Sequence, residues 1–159
     1  MGYKAFASVE EIESAVDLAV IATPIRTVPD ILDACGKKGM AGAVIISSGG
    51  KEVGSRGRKL EEEIFRTAQH YGLRIIGPNC LGIVNTAVGL NASFAHQAPR
   101  PGRIAFLSQS GAVCTSVLDI AQRENVGFSH FISLGSMVDV DFADRSEEHT
   151  SELQSRQSI

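Results

Sequence analysis

The chain has 159 residues, of which 43% are hydrophobic and 21% charged, with a formal net charge of −3. This is an ordinary globular composition, long enough for one domain or two small ones. Mild acidity without a Lys/Arg cluster argues against a nucleic-acid partner, and apolar runs such as LAVIATP and AGAVIISS are too short to cross a bilayer.

The N-terminal MGYKAFASVEEIE turns acidic where a secretory leader would turn apolar. Cys35, Cys80 and Cys114 lack CxxC spacing, as expected of reduced thiols in a cytoplasmic protein. VDLAVIATP, Val16 to Pro24, is a continuous apolar run that predicts a strand buried on both faces. Thr27 with Asp30 fits a capping box, Pro29 suits a first helical turn and Gly39 a helix end, so a helix is predicted through VPDILDACGKKG. AGAVIISS predicts a second buried strand, GGKEVGSRG a loop, and RKLEEEIFRTAQHYG an amphipathic helix closing at Gly72. LRIIGP predicts a third strand, stopped by Gly77 and Pro78. This alternation on short connections predicts an α/β fold with a doubly wound, Rossmann-like parallel sheet.

Beyond Pro78 the pattern changes. NCLGIVNTAVGLNASFAHQAPRPG is rich in Gly, Asn and Pro and reads as loop with short β pieces, ending in a linker over 99–102. RIAFLS then predicts a fresh strand, followed by a helix in which Val113, Val117, Ile120 and Ala121 can line one face, and by the strand FSHFISLG. That is one β-α-β unit, the beginning of a second domain over 103–144, after a first domain over 1–98. RSEEHTSELQS, Arg145 to Ser155, can be back-translated into a common short-read sequencing adapter, with Arg156 to Ile159 as a sample index and further adapter bases. Residues 145–159 are therefore expected to be a non-native tail, with native coding sequence stopping near Asp144.

Ligands of parallel sheets collect where strand ends lead into helix starts. Four such ends are visible: ATPIRT, SSGGKE, GPNCLG and SQSGAV. In the last, Ser108 and Ser110 supply hydroxyls, Gly111 allows close approach, and free N–H groups of a helix start favour an anion such as a phosphoryl group. The plain alternative is a Ser N-cap with no ligand. Ser47, Ser48, Gly49 and Gly50 form a loop able to hydrogen-bond a ligand. Asn79 suits a turn. Cys80 reads as a small buried thiol, since no base lies nearby to make it a nucleophile. Asp139, Asp141 and Asp144 read as a solvated acidic loop in preference to a metal cluster, and His70, His96 and His130 carry no metal-ligand spacing. No metal site is expected.

Taken together, VDLAVIATP, AVIISSGG, RIIGPNCLGIVNT, GLNASFA, PGRIAFLSQSGAV and GFSHFISLGSMVDVDFAD resemble the NDP-forming acyl-CoA synthetases. This is the acetate–CoA ligase (ADP-forming) group, related to the succinyl-CoA synthetase α subunit. The resemblance runs in order from about Gly2 to Asp144 and implies a CoA-binding domain followed by a flavodoxin-like ligase domain. It implies conversion of acyl-CoA, phosphate and ADP to acid, CoA and ATP through an acyl phosphate and a phosphohistidine. Pro24, Ser47, Ser48 and Asn79 match loops that border CoA in the family. Ser108, Gln109, Ser110 and Gly111 match the loop whose helix start receives the phosphoryl group.

The resemblance also implies what lies elsewhere. The family's first strand and Gly-rich turn, which hold the CoA phosphates, are expected upstream of this sequence. The phosphohistidine, in a Ser-His-Thr-Gly context, is expected downstream, as is the ATP-grasp domain that uses ADP or ATP with Mg. His149-Thr150 is similar only superficially and sits inside the suspected tail. No catalytic residue is therefore expected in this piece, and the isolated chain is expected to be inactive. The alternative reading is the ligase-like region of a protein lysine acetyltransferase fused to a GNAT domain. A redox Rossmann enzyme is disfavoured because GxGxxG is absent.

Overall fold

In the computed structural model, which describes residues 4–144, the three apolar runs of the first half become parallel strands in spatial order β1-β2-β3. They are β1 (Leu18–Ile21), β2 (Gly42–Ile45) and β3 (Arg74–Ile76), joined by α1 (Val28–Lys37) and α2 (Ser55–Tyr71). Parallel neighbours need such crossovers, and the helices bury their apolar stripes on the sheet. Ile21, Val28, Leu32, Ile45, Ile64 and Ile75 form that core. α1 and α2 approach closely because Gly36 has no side chain. A Cβ there would lie 2.1 Å from the Tyr71 ring, and the Tyr71 hydroxyl donates to Asp33 at 2.7 Å.

Three local expectations need correction. β1 is an edge strand with only one face covered: Ile21 is 3% exposed, and Val20, on the opposite face, is 49% exposed. Thr27 forms no side-chain cap on α1: it is already helical, closing a short 3-10 turn over Ile25–Thr27, and its hydroxyl donates backward to the Pro24 carbonyl at 2.8 Å with the Thr23 hydroxyl 3.0 Å away. The predicted GGKEVGSRG loop contains a 3-10 turn, Lys51–Val53, and yields its last residues to α2, which starts at Ser55. That loop is folded down onto the helix. A Cβ at Gly57 would fall 1.8 Å from the Gly50 carbonyl oxygen, and Glu61 accepts the Lys51 N–H at 3.0 Å.

The second sheet has the order β5-β4-β7-β6. β6 (Pro101–Ser108), α3 (Gly111–Arg123) and β7 (Phe128–Ser133) are the β-α-β unit expected, with β6 and β7 parallel. The Gly/Asn-rich stretch before it supplies the hairpin β4 (Gly82–Asn85) and β5 (Leu90–Ser93), and β4 pairs antiparallel with β7. The hydrogen-bonded sheet thus runs across the predicted linker. α3 turns Cys114, Leu118 and Ala121 to the core, with Val117 packed at its margin. Val113 and Ile120, expected on the buried face, are 48% and 54% exposed.

The two sheets share a core of Val44 and Ile76 from the first and Ile132, Leu134 and Val140 from the second half. Arg74 adds a polar tie: it meets Asp139 at 3.1 Å and Asp144 at 3.0 Å, while Asp139 also accepts the Ile75 N–H at 2.7 Å. Asp141 accepts the Ala143 N–H. These carboxylates are thus engaged in holding the loop after β7 against β3. No described helix is long and apolar enough to cross a membrane.

Candidate functional site

Where the carboxyl ends of β1 and β2 face the start of α3, the two halves enclose an open cleft of about 1080 Å³. One wall comes from the loops after β1, β2 and β3, and includes Pro24, Ser47, Ser48 and Asn79. The opposite wall includes Gln109, Ser110 and Gly111. Seven of the eight site residues singled out in the sequence therefore share one concavity.

Their side chains have different tasks. Ser47 is buried, and its hydroxyl donates to the Thr23 carbonyl at 2.5 Å, so it fixes the β1 loop against the β2 loop. Ser48, Pro24 and Asn79 are exposed to the cleft. Asn79 takes a left-handed φ of 57°, a conformation Asn tolerates well, and its N–H donates to the Ser47 carbonyl at 3.0 Å. Behind it, Gly135 at φ 60° allows backbone to lie on backbone. A Cβ there would sit 2.3 Å from the Pro78 oxygen.

At the other wall, Ser110 is the α3 N-cap and accepts the Val113 N–H at 3.3 Å. The plain alternative is therefore what its side chain does. Ser108 stands outside the cleft lining and braces the loop, accepting the Ser110 N–H at 3.1 Å. What the loop offers to the cleft is backbone: Gly111 and Ala112 are first-turn residues whose N–H groups have no carbonyl one turn back. Beside Gly111 the space is open, since even an added Cβ would reach nothing closer than Leu81 at 3.9 Å. Oriented donors and a helix dipole make this a place for an anion.

Cys80 also borders the cleft, yet its thiol is turned inward and donates to the Ile45 carbonyl at 3.2 Å. Burial pushes it up to about 11, which keeps it a thiol at neutral pH. Lys51 and Glu52, at the end of the SSGGKE strand-end loop, also line the cleft, as do Phe94 and Ser136, and none of the four was singled out as a site residue. Lys51 had a usable signal, a cation just beyond a strand end. The others come together only through the tertiary fold. Glu52 is pushed up by burial but held below the usual carboxylate range by backbone N–H groups, chiefly that of Gly49 at 2.6 Å. Among the described residues no group of three His, Cys, Asp or Glu side chains is arranged to hold a metal. The tail beginning at Arg145, with His149, lies outside the described residues.

The CoA binding domain family matches residues 1–86, and the succinyl-CoA ligase like flavodoxin domain matches 101–156. Acetate–CoA ligase (ADP-forming) I of Archaeoglobus fulgidus is 47% identical over 91% of this chain. The α subunit of acetate–CoA ligase (ADP-forming) II of Pyrococcus furiosus is 49% identical over 92%. The chain spans 21% and 32% of these two relatives, respectively. A solved structure from Pyrococcus horikoshii superposes with a TM-score of 0.89 at 48% identity, over 92% of this chain and 34% of that one. The dinucleotide-forming acetyl-coenzyme A synthetase 1 of Ca. Korarchaeum cryptofilum, solved with phosphate and ADP, superposes at 0.85 with 41% identity, over 91% of this chain and 31% of that one. The named relatives are ligases and synthetases, and the acetyltransferase alternative gains nothing from them.

Proposed function

The chain belongs to the CoA-binding domain family, and we propose that it is the CoA- and phosphate-handling piece of an ADP-forming acyl-CoA synthetase. The observation that carries this reading is the single cleft on which both sets of residues converge. Phosphorolysis of an acyl thioester requires phosphate and thioester carbonyl side by side, because a phosphate oxygen attacks the carbonyl carbon while the CoA sulfur leaves. Effective molarity from such placement is a large share of enzymatic rate acceleration.

In this proposal Pro24, Ser48 and Asn79 line the CoA path and Ser47 holds its loops in register. Gln109, Ser110 and Gly111 form the phosphate side, with Ser108 bracing their loop from outside the lining and the α3 N–H groups as donors for the phosphoryl oxygens. Residues 1–98 act as the CoA module and 103–144 as the start of the ligase module, joined at 99–102. Transfer through a phosphohistidine, and Mg-dependent nucleotide chemistry on an ATP-grasp domain or subunit, belong to parts of the enzyme beyond this piece. Three buried free thiols suit a cytoplasmic setting.

A chimera tests the proposal. Residues 4–144 replace the matching segment of the Archaeoglobus fulgidus ligase I, and ATP formation from acetyl-CoA, phosphate and ADP is measured. The expected result is retained ATP formation by the chimera and none by the isolated chain. A folded chimera that binds nucleotide but makes no ATP contradicts the proposal.

A further inference from the structure

We propose that Lys51 is a phosphate-binding residue of the cleft, holding the phosphoryl group against the start of α3 from the opposite wall. The inference rests on the reading of this cleft as a phosphate site beside CoA, and adds a residue that reading does not contain.

The loop after β2 aims Lys51 across the cleft. Its N–H is held by Glu61 at 3.0 Å, and Glu61 is only 6% exposed. Gly50 makes room for this carboxylate, since a Cβ there would lie 2.1 Å from Glu61 Oε1. With its backbone fixed, Lys51 sends Nζ across to the Ser136 carbonyl at 2.7 Å. Both residues border the cleft. An ammonium has three N–H donors, and the Ser136 carbonyl takes one.

Among the described lining residues Lys51 carries the only positive charge, and it forms no ion pair with a carboxylate. Its neighbour Glu52, which also lines the cleft, accepts the Gly49 N–H and feels the Lys51 charge only as a weaker influence. One wall thus presents a cation with donors to give, and the other presents the N–H groups of Gly111 and Ala112. An anion between them is met from both sides, and the Lys acts on phosphate as a point charge. The competing account is a purely structural latch between the two halves. That account predicts a loss of stability without a change in what the cleft binds.

The test titrates inorganic phosphate, and separately CoA, into the 159-residue chain while following backbone amide NMR signals. In the wild type, phosphate is expected to shift Gly111 and Ala112 in a saturable way. Lys51→Met is expected to weaken phosphate binding about tenfold or more, the size of one charge-assisted hydrogen bond, and CoA binding far less. Lys51→Arg, which keeps the charge, is expected to restore phosphate binding. Phosphate affinity unchanged in Lys51→Met, or no phosphate response at Gly111 and Ala112 in the wild type, overturns the proposal. If Lys51→Met loses its dispersed spectrum, Lys51→Gln provides the same neutralisation and decides by the same comparison. Lys51-dependent phosphate binding without any CoA response supports this proposal while removing the CoA reading.

Discussion

Hydroxyl and thiol groups in the cleft region are mostly tied to the backbone. Ser47 donates to the Thr23 carbonyl, Thr27 to that of Pro24 and Cys80 to that of Ile45, while Ser110 accepts from the α3 first turn. Much of the side-chain chemistry that looks available in the sequence is thus used for holding loops, and the cleft is left with main-chain N–H groups, Lys51 and the exposed side chains of Ser48 and Asn79. Residue type alone could mark Ser47 and Ser110 as site residues, because strand-end loops collect polar residues. It could not tell a ligand contact from a brace, since that depends on partners 24 residues away, as for Ser47 and Thr23. Cys80 gives a direct check. Folded protein holds its thiol proton to higher pH than the unfolded chain does. Its contribution to stability is therefore full below about pH 8.5, the ordinary thiol value, and lost as pH rises through about 11. We expect Cys80 to resist iodoacetamide at about pH 8 in the native protein and to react in denaturant, read by peptide mass spectrometry. Rapid native labelling contradicts the assignment.

At the scale of elements, hydrophobic periodicity identified the helices and strands, but not always which way they face. In α3, the helical stripe of Val113, Val117 and Ile120 lies beside another formed by Cys114, Leu118 and Ala121. Both stripes are apolar, so the spacing alone does not choose between them. β7 and β4 pack on the second stripe through Phe131, Phe128 and Val84, and leave Ile120 to solvent. Leu118→Ala is accordingly expected to cost about 2–5 kcal/mol by cavity formation. Ile120→Ala should stay within about 0.5 kcal/mol. Urea unfolding of the two variants measures the difference, and equal costs contradict the assigned face. The open Val20 face of β1 escaped the sequence for a related reason: a continuous apolar run signals burial without saying which neighbours supply it.

For the molecule as a whole, the parallel α/β architecture was legible, and so was the renewed β-α-β unit that begins with β6. What local pattern could not reveal is how closely the halves are joined. Gly/Asn-rich sequence from before the linker becomes the hairpin that pairs with β7, and Val44 and Ile76 share a core with Ile132 and Leu134. A shared core couples the stability of the two halves. We expect one unfolding transition, seen identically by far-UV circular dichroism and by tyrosine fluorescence, and shifted as a unit by Leu134→Ala, with a cost of about 2–5 kcal/mol. Two separable transitions, with only one moved by Leu134→Ala, contradict this coupling.

The same junction creates the cleft, so what the cleft binds follows from how the halves are joined. The most direct test is a CoA titration of the chain followed by amide NMR. Saturable shifts are expected on both walls, at Thr23, Ser48 and Asn79 and at Gly111 across from them. No saturable shift at these positions, or shifts confined to surfaces away from the cleft, would contradict CoA binding there.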